Sequence, residues 1–168
     1  MEQTQIPRYL AILTDSLIKK NTILDRVSEI CSGHEKCICG EELDIDEYNR
    51  LMEEKGRLVG DLELLDDGFT ALYERVSPVL REDPASYADS IREIQSLVSE
   101  ISGKTALIQA AEIRIHSRLE RLAQSAGNAR PTFKNASDVA GQYYKTMQKS
   151  HVTQAVFVDN MKKHGGTT

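Results

Sequence analysis

The sequence has no tryptophan and only three phenylalanines, and aromatic residues make up 5% of it. Proline is also scarce, with four in 168 residues. Together with 28% charged residues, this mix favours long solvated helices over a sandwich or a doubly wound sheet. Excess positive charge is missing too. Lys and Arg number 21 against 26 Asp and Glu, and the net charge of −5 argues against a general nucleic-acid binder. No apolar run approaches the roughly 20 residues needed to span a bilayer. The first residues lack the basic, apolar and small-residue pattern of a signal peptide. The expectation is a cytoplasmic protein without membrane insertion, whose three cysteines are reduced thiols.

What is present is a heptad-spaced apolar stripe that stops near Gly127. It runs in three stretches, each alternating steps of four and three. The first is Ile6, Leu10, Leu13, Leu17, Lys20, Leu24, Val27 and Cys31. The second runs from Tyr48 and Leu51 through Lys55, Leu58, Leu62, Leu65, Phe69 and Leu72 to Val76 and Val79. The third runs from Tyr87, Ile91 and Ile94 through Val98, Ile101, Thr105, Ile108, Glu112 and Ile115 to Leu119, Leu122 and Ala126. A 3.5-residue repeat puts one seam on one helix face and requires partner helices.

Punctuation sets the element boundaries. Pro7 suits a first helical turn, and Ser32-Gly33 reads as a stop, so helix one is expected from Pro7 to about Ile30. A loop through Leu43 follows. Asp44 and Glu47 have capping-box spacing, and Pro78 disfavours helical geometry in Ser77. Helix two is therefore expected from Asp44 to about Ser77. Its Gly56 and Gly60 share a face, either as tolerated weakness or to let a helix approach closely. Helix three is expected to begin at Asp83-Pro84 and to end at Gly127-Asn128, with Pro131 just beyond. Short connections favour antiparallel neighbours. The predicted fold is all-α: an up-down-up antiparallel three-helix bundle of long coiled-coil-like helices over residues 1–126. A flexible or partly helical C-terminal tail, residues 127–168, completes it. Lys20, Lys55, Thr105 and Glu112 are polar entries in the stripes. The lysine stems are expected to pack while their ammonium groups reach water, the alternative being that a core lysine sets register or oligomer state at a cost in stability.

Residues 127–168 hold six basic and two acidic side chains, a net +4 against −9 for residues 1–126. They are rich in Gly, Asn, Lys and Ser, so they are expected to be disordered in the free protein. Two clusters stand out: Val139, Tyr143, Tyr144 and Met147, then Val152, Val156, Phe157 and Met161. Their i, i+4 spacings make short amphipathic faces if helical. Such short helices are marginal alone, so folding on a partner is expected of these eight residues. The alternative is that one cluster docks back on the bundle.

Cys31, His34, Cys37 and Cys39 form a C-x2-H-x2-C-x-C run in the expected first loop. Thiols and imidazole can hold zinc tetrahedrally. Four ligands within nine residues leave little backbone to wrap an ion, however, so no bound metal and no cofactor are expected. No phosphate loop, HExxH or nucleophile elbow occurs. Acid pairs such as Asp66-Asp67 are neighbours on a helix and do not converge on a substrate. No catalytic residue is assigned.

The pattern resembles the FlgN-type flagellar export chaperones over most of the chain. The best-matching piece is Tyr48-Asn49-Arg50-Leu51-Met52-Glu53-Glu54-Lys55-Gly56-Arg57-Leu58-Val59, continuing to Leu62 and Leu65. Family members carry a similar E-K-x-x-L-(I/V) stretch. Tyr9-Leu10-Ala11-Ile12-Leu13, the pair Tyr143-Tyr144 and Phe157-Val158-Asp159 are similar too. The cysteine run departs from the family's acidic linker. The resemblance implies a cytoplasmic, non-enzymatic chaperone that binds the C-terminal helical region of hook–filament junction proteins. It would prevent their premature self-association and deliver them to the flagellar type III export apparatus. The family binds through its C-terminal region, which maps by position onto about Val139 to Met161. Two other readings stay open. One is a structural coiled-coil or tethering protein, a possible homodimer, and the other is a zinc or redox sensor built on the cysteine run.

Overall fold

The computed structural model describes residues 3–40 and 42–126. Three long helices account for nearly all of them: α1 over Ile6–Cys39, α2 over Ile45–Glu82 and α3 over Ala88–Ala126. Short 3-10 turns at Gln3–Gln5 and Ala85–Tyr87 lead into α1 and α3. Among the described residues there is no strand, and no helix is long and apolar enough to cross a membrane.

The helices form an up-down-up bundle, and its cross-links show the register. Between α1 and α3, Asn21 pairs with Glu100, Asp25 with Lys104, and Glu35 with Arg114. Each pair is 79 residues apart, so the two helices run parallel in one steady register. Between α1 and α2, Lys20 meets Asp66, Arg26 meets Glu54, and His34 meets Tyr48. Numbers rise on one side as they fall on the other, so α2 is antiparallel. Both α2 and α3 pack along α1, whereas the backbones of α2 and α3 scarcely approach each other.

The stripes of α1 and α3 are buried as their spacing predicts, from Ile6 to Cys31 and from Ile91 to Leu119. The stripe of α2 is rotated. Lys55, Leu62, Phe69 and Val76 are buried, but they are joined by Val59, Tyr73 and Leu80. Leu58, Leu65, Leu72 and Val79, the flank expected inside, are only half-buried. Both flanks obey the same four-and-three spacing, so periodicity could not choose between them. Of ten residues expected in the core, Leu13, Leu17, Leu24, Leu62, Ile94, Ile101, Ile108 and Ile115 are buried, while Leu58 and Leu65 lie at its edge.

Three boundaries differ from expectation. Helix α1 runs through Ser32-Gly33 to Cys39, because Cys31, His34, Cys37 and Ile38 continue its buried face. Gly33 is a point of close approach: a Cβ built there would lie 2.7 Å from a Leu51 methyl of α2. Helix α2 continues past Pro78 to Glu82, with Val76 and Leu80 fully buried on either side of the exposed proline. The proline removes one ladder bond on the solvent side, and the packing of its neighbours outweighs that loss. Asp83 and Pro84 belong to a capped turn before α3, in which Asp83 accepts from the Ser86 amide and hydroxyl. At the start of α2 half of the predicted capping box forms. Asp44 accepts from the Glu47 amide at 3.2 Å, but the Glu47 carboxylate turns to Arg50 instead.

Gly56 and Gly60 do not serve close helix approach. Nothing lies within 4 Å of a Cβ built at Gly56, Gly60, Gly68 or Gly103. These glycines only loosen their helices. Replacing Gly56, Gly68 and Gly103 together by Ala is expected to stabilise the bundle by about 2 kcal/mol in urea unfolding. Gly33→Leu is expected to destabilise it, because the added side chain overpacks the contact with Leu51.

Candidate functional site

Two features of the bundle stand out chemically. The first is a buried polar layer where α1 ends and α2 begins. Cys31 comes from α1, Lys55 from α2 and Glu112 from α3, and at Lys55 and Glu112 only 1% and 2% of the residue is exposed. Glu112 Oε1 accepts hydrogen bonds from both the Cys31 thiol, at 3.2 Å, and the Lys55 ammonium. The expectation that Lys20 and Lys55 reach water is therefore overturned. Lys20 is equally buried, and its Nζ lies 2.8 Å from Asp66. Each lysine packs its stem in the core and meets a carboxylate there instead of bulk solvent. Burial lowers the Lys20 pKa more than the Asp66 charge raises it.

His34 completes this layer. It is fully buried, with its ring 4.3 Å from the Tyr48 ring. Its Nε2 lies 3.3 Å from the Tyr48 carbonyl, so the neutral imidazole donates from Nε2. Its Nδ1 has no hydrogen-bond partner among the described residues. Burial, aided by the Lys55 charge, lowers the His34 pKa to about 3. Burial likewise raises the Cys31 thiol to about 12, opposed only in part by Lys55. The Cys37 thiol is also raised, first by burial and then by Asp44 and Glu47. A thiol held protonated is a poor nucleophile and a poor metal ligand.

The cysteine run thus lies on a helix, not in a loop. Cys31, His34 and Cys37 are buried on the inward side of α1, while Cys39 is exposed. From Cys31 to Cys39 the helix rises about 12 Å, too far for its residues to close around one ion. Among the described residues no group of three or more His, Cys, Asp or Glu can hold a metal.

The second feature is an open groove of about 500 Å³ between α1 and α2. Ile18, Ile23, Leu64 and Leu65 give it an apolar floor, and Lys19, Thr22 and Asp61 complete its lining. It exists because α2 is rotated, which leaves Leu65 at the edge of the core. Leu64 is 73% exposed and Ile18 is 47% exposed. Leu107 and Ile113 on α3 are also strongly exposed, and Ile12 and Ile45 are exposed about as much as Ile18. The sequence did carry a signal for the groove: Ile18 and Leu64 are bulky apolar residues one step off their stripes. The predicted partner-binding residues Val139, Tyr143, Tyr144, Met147, Val152, Val156, Phe157 and Met161 lie outside the described residues. Comparisons with protein-family models, curated proteins and solved structures each found no match.

The buried layer sets two expected outcomes. An unfolded histidine titrates near 6.5 and His34 near 3, so between those values only the unfolded chain takes the proton. Stability is full above about pH 6.5 and falls as the pH drops towards 3, by up to about 1.4 kcal/mol per pH unit. Urea midpoints measured across that window are expected to fall less steeply in His34→Leu than in the natural chain. In the ion pair, Lys55→Met alone strands a buried carboxylate and is expected to cost about 3 kcal/mol. Joined with Glu112→Leu, it is expected to recover most of that loss in the same assay.

Proposed function

We propose that this chain is a non-enzymatic, cytoplasmic export chaperone of the FlgN type. It holds the C-terminal helical region of hook–filament junction proteins through its own segment from Val139 to Met161. It thereby keeps them from self-associating before delivery to the export apparatus. One observation carries the reading. The heptad stripes of α1 and α3 are buried in the bundle's own core from Ile6 to Cys31 and from Ile91 to Leu119, and α2 covers them with Lys55, Leu62, Phe69 and Val76. The two aromatic and methionine clusters that follow the end of the stripe are the proposed anchors, and a segment that orders on contact can wrap a helical partner at the cost of its ordering entropy. The resemblance at Tyr48–Val59 and at Tyr143-Tyr144 supports the same reading.

Buried aromatic anchors tend to dominate binding energy. Tyr144→Ala and Phe157→Ala are each expected to weaken binding of a junction-protein C-terminal fragment by about 2 kcal/mol, some thirtyfold. Titration calorimetry reads the affinity, and thermal melting is expected to change little in either variant. Full affinity after deletion of residues 132–168 would place binding on the bundle and refute the assignment. No binding by the intact chain would favour a structural coiled-coil role.

A further inference from the structure

The face of α3 turned away from the core changes character along its length. Between Glu100 and Arg114 every fully exposed residue is uncharged: Gly103, Ala106, Leu107, Ala110 and Ile113. Leu107 is 72% exposed and Ile113 is 61% exposed. Charged residues bracket this strip in a definite order. The heptad row through Leu107 reads Glu93, Glu100, Leu107, Arg114, Arg121, with acids before the leucine and bases after it. We infer that this face of α3 binds a second copy of the chain, with the two α3 helices antiparallel about a two-fold axis beside Ala106 and Leu107.

Charge selects both the occupant and its orientation. A two-fold axis between antiparallel helices sets each row against its own copy. Glu93 then stands opposite the partner's Arg121, and Glu100 opposite the partner's Arg114. The adjoining row obeys the same axis, with Arg92 opposite the partner's Glu120 and Ala106 on the two-fold. A parallel pair would instead set acid on acid and base on base in both rows. These groups are available for the contact. Glu93 and Arg121 have no ion pair among the described residues, and Arg121 touches only the Ser117 carbonyl. Arg114 meets Glu35 through Nη2 alone, and Asn21 and Lys104 hold only Oε1 of Glu100, so both keep a free edge. Arg92 and Glu120 add least, since they already meet Asp89 and His116 on their own helix. Shape agrees with charge. About the same axis Ile113 falls opposite the partner's Ser99, and Gly103 opposite the partner's Ala110, so large residues meet small ones and the backbones can approach closely. Nothing lies within 4 Å of a Cβ built at Gly103.

Size sets the strength of the contact. From Arg92 to Arg121 the helix rises about 44 Å, and a strip one helix diameter wide covers about 440 Å² per chain. That is little more than half of the roughly 800 Å² per partner in a standard stable interface. The dimer is therefore weak and concentration-dependent, and it is salt-sensitive because exposed charges orient it. It leaves the α1–α2 groove open and does not rest on the flagellar reading.

The test is sedimentation equilibrium of the full chain at low salt. A monomer–dimer equilibrium with a dissociation constant of about 100 µM is expected, weakening as salt is raised. Glu93→Arg and Arg121→Glu, both at exposed positions, are each expected to weaken it about tenfold, because the axis repeats each change at both ends of the contact. Combined in one chain they are expected to restore it, since the exchanged charges again meet their opposites. Leu107→Asp is expected to abolish dimerisation, and Leu64→Asp in the groove to leave it unchanged. All five variants alter exposed side chains, so helical content and melting of the monomer are expected to stay as in the natural chain. Single reversals without effect, or a double exchange that fails to restore the dimer, would overturn the antiparallel contact. Loss of the dimer in Leu64→Asp but not in Leu107→Asp would move the contact to the groove and overturn it as well. So would a chain that stays monomeric at millimolar concentration.

Discussion

One carboxylate joins all three helices. Glu112 of α3 receives the Lys55 ammonium from α2 and the Cys31 thiol from α1, in a layer almost closed to water. Heptad packing alone is degenerate, since sliding a helix by one repeat returns leucines to leucines. A buried charge removes that degeneracy. Sliding α2 or α3 past the other would leave an ammonium or a carboxylate without its partner in the core, at a cost of several kcal/mol. The constraint matters most between α2 and α3, whose backbones scarcely meet. Lys20 and Asp66 repeat the device further along, this time between α1 and α2.

These polar groups show why part of the structure could be read from the sequence and part could not. The three helices, their order and most of the core follow from the spacing of apolar residues, because burial is what that spacing encodes. Lys20 and Lys55 occupy stripe positions, yet their depth depends on whether an acid 46 or 57 residues away arrives beside them. That is a property of the assembled register. Gly33 was misread for a related reason. A glycine beside serine reads locally as a stop, whereas here it makes room for Leu51, a contact visible only once α2 has folded back. Pro78 is the same lesson in reverse, with the buried Val76 and Leu80 overruling a local signal.

The groove sits on the same boundary between local and assembled information. Leu58, Leu65, Leu72 and Val79 form as good a stripe as the flank that is buried. The choice between them is a rotation of α2 about its own axis, to which the pattern of one helix is blind. Once α2 has turned, Leu64 and Ile18 lie on either side of an apolar furrow. An exposed apolar strip on a charged body marks a candidate interaction surface.

The parallel register of α1 and α3 also has a mechanical side. Ile6 opens α1 at one end of the rod, and Ala126 closes α3 at the other. Tension applied between these two points runs along the helix axes, so the α1–α3 seam is loaded in shear and its contacts share the load together. Helix α2, tied back at both ends by short connections, is peeled from the pair only after that seam yields. A pull on the far end of α3 is therefore met first by the α1–α3 seam.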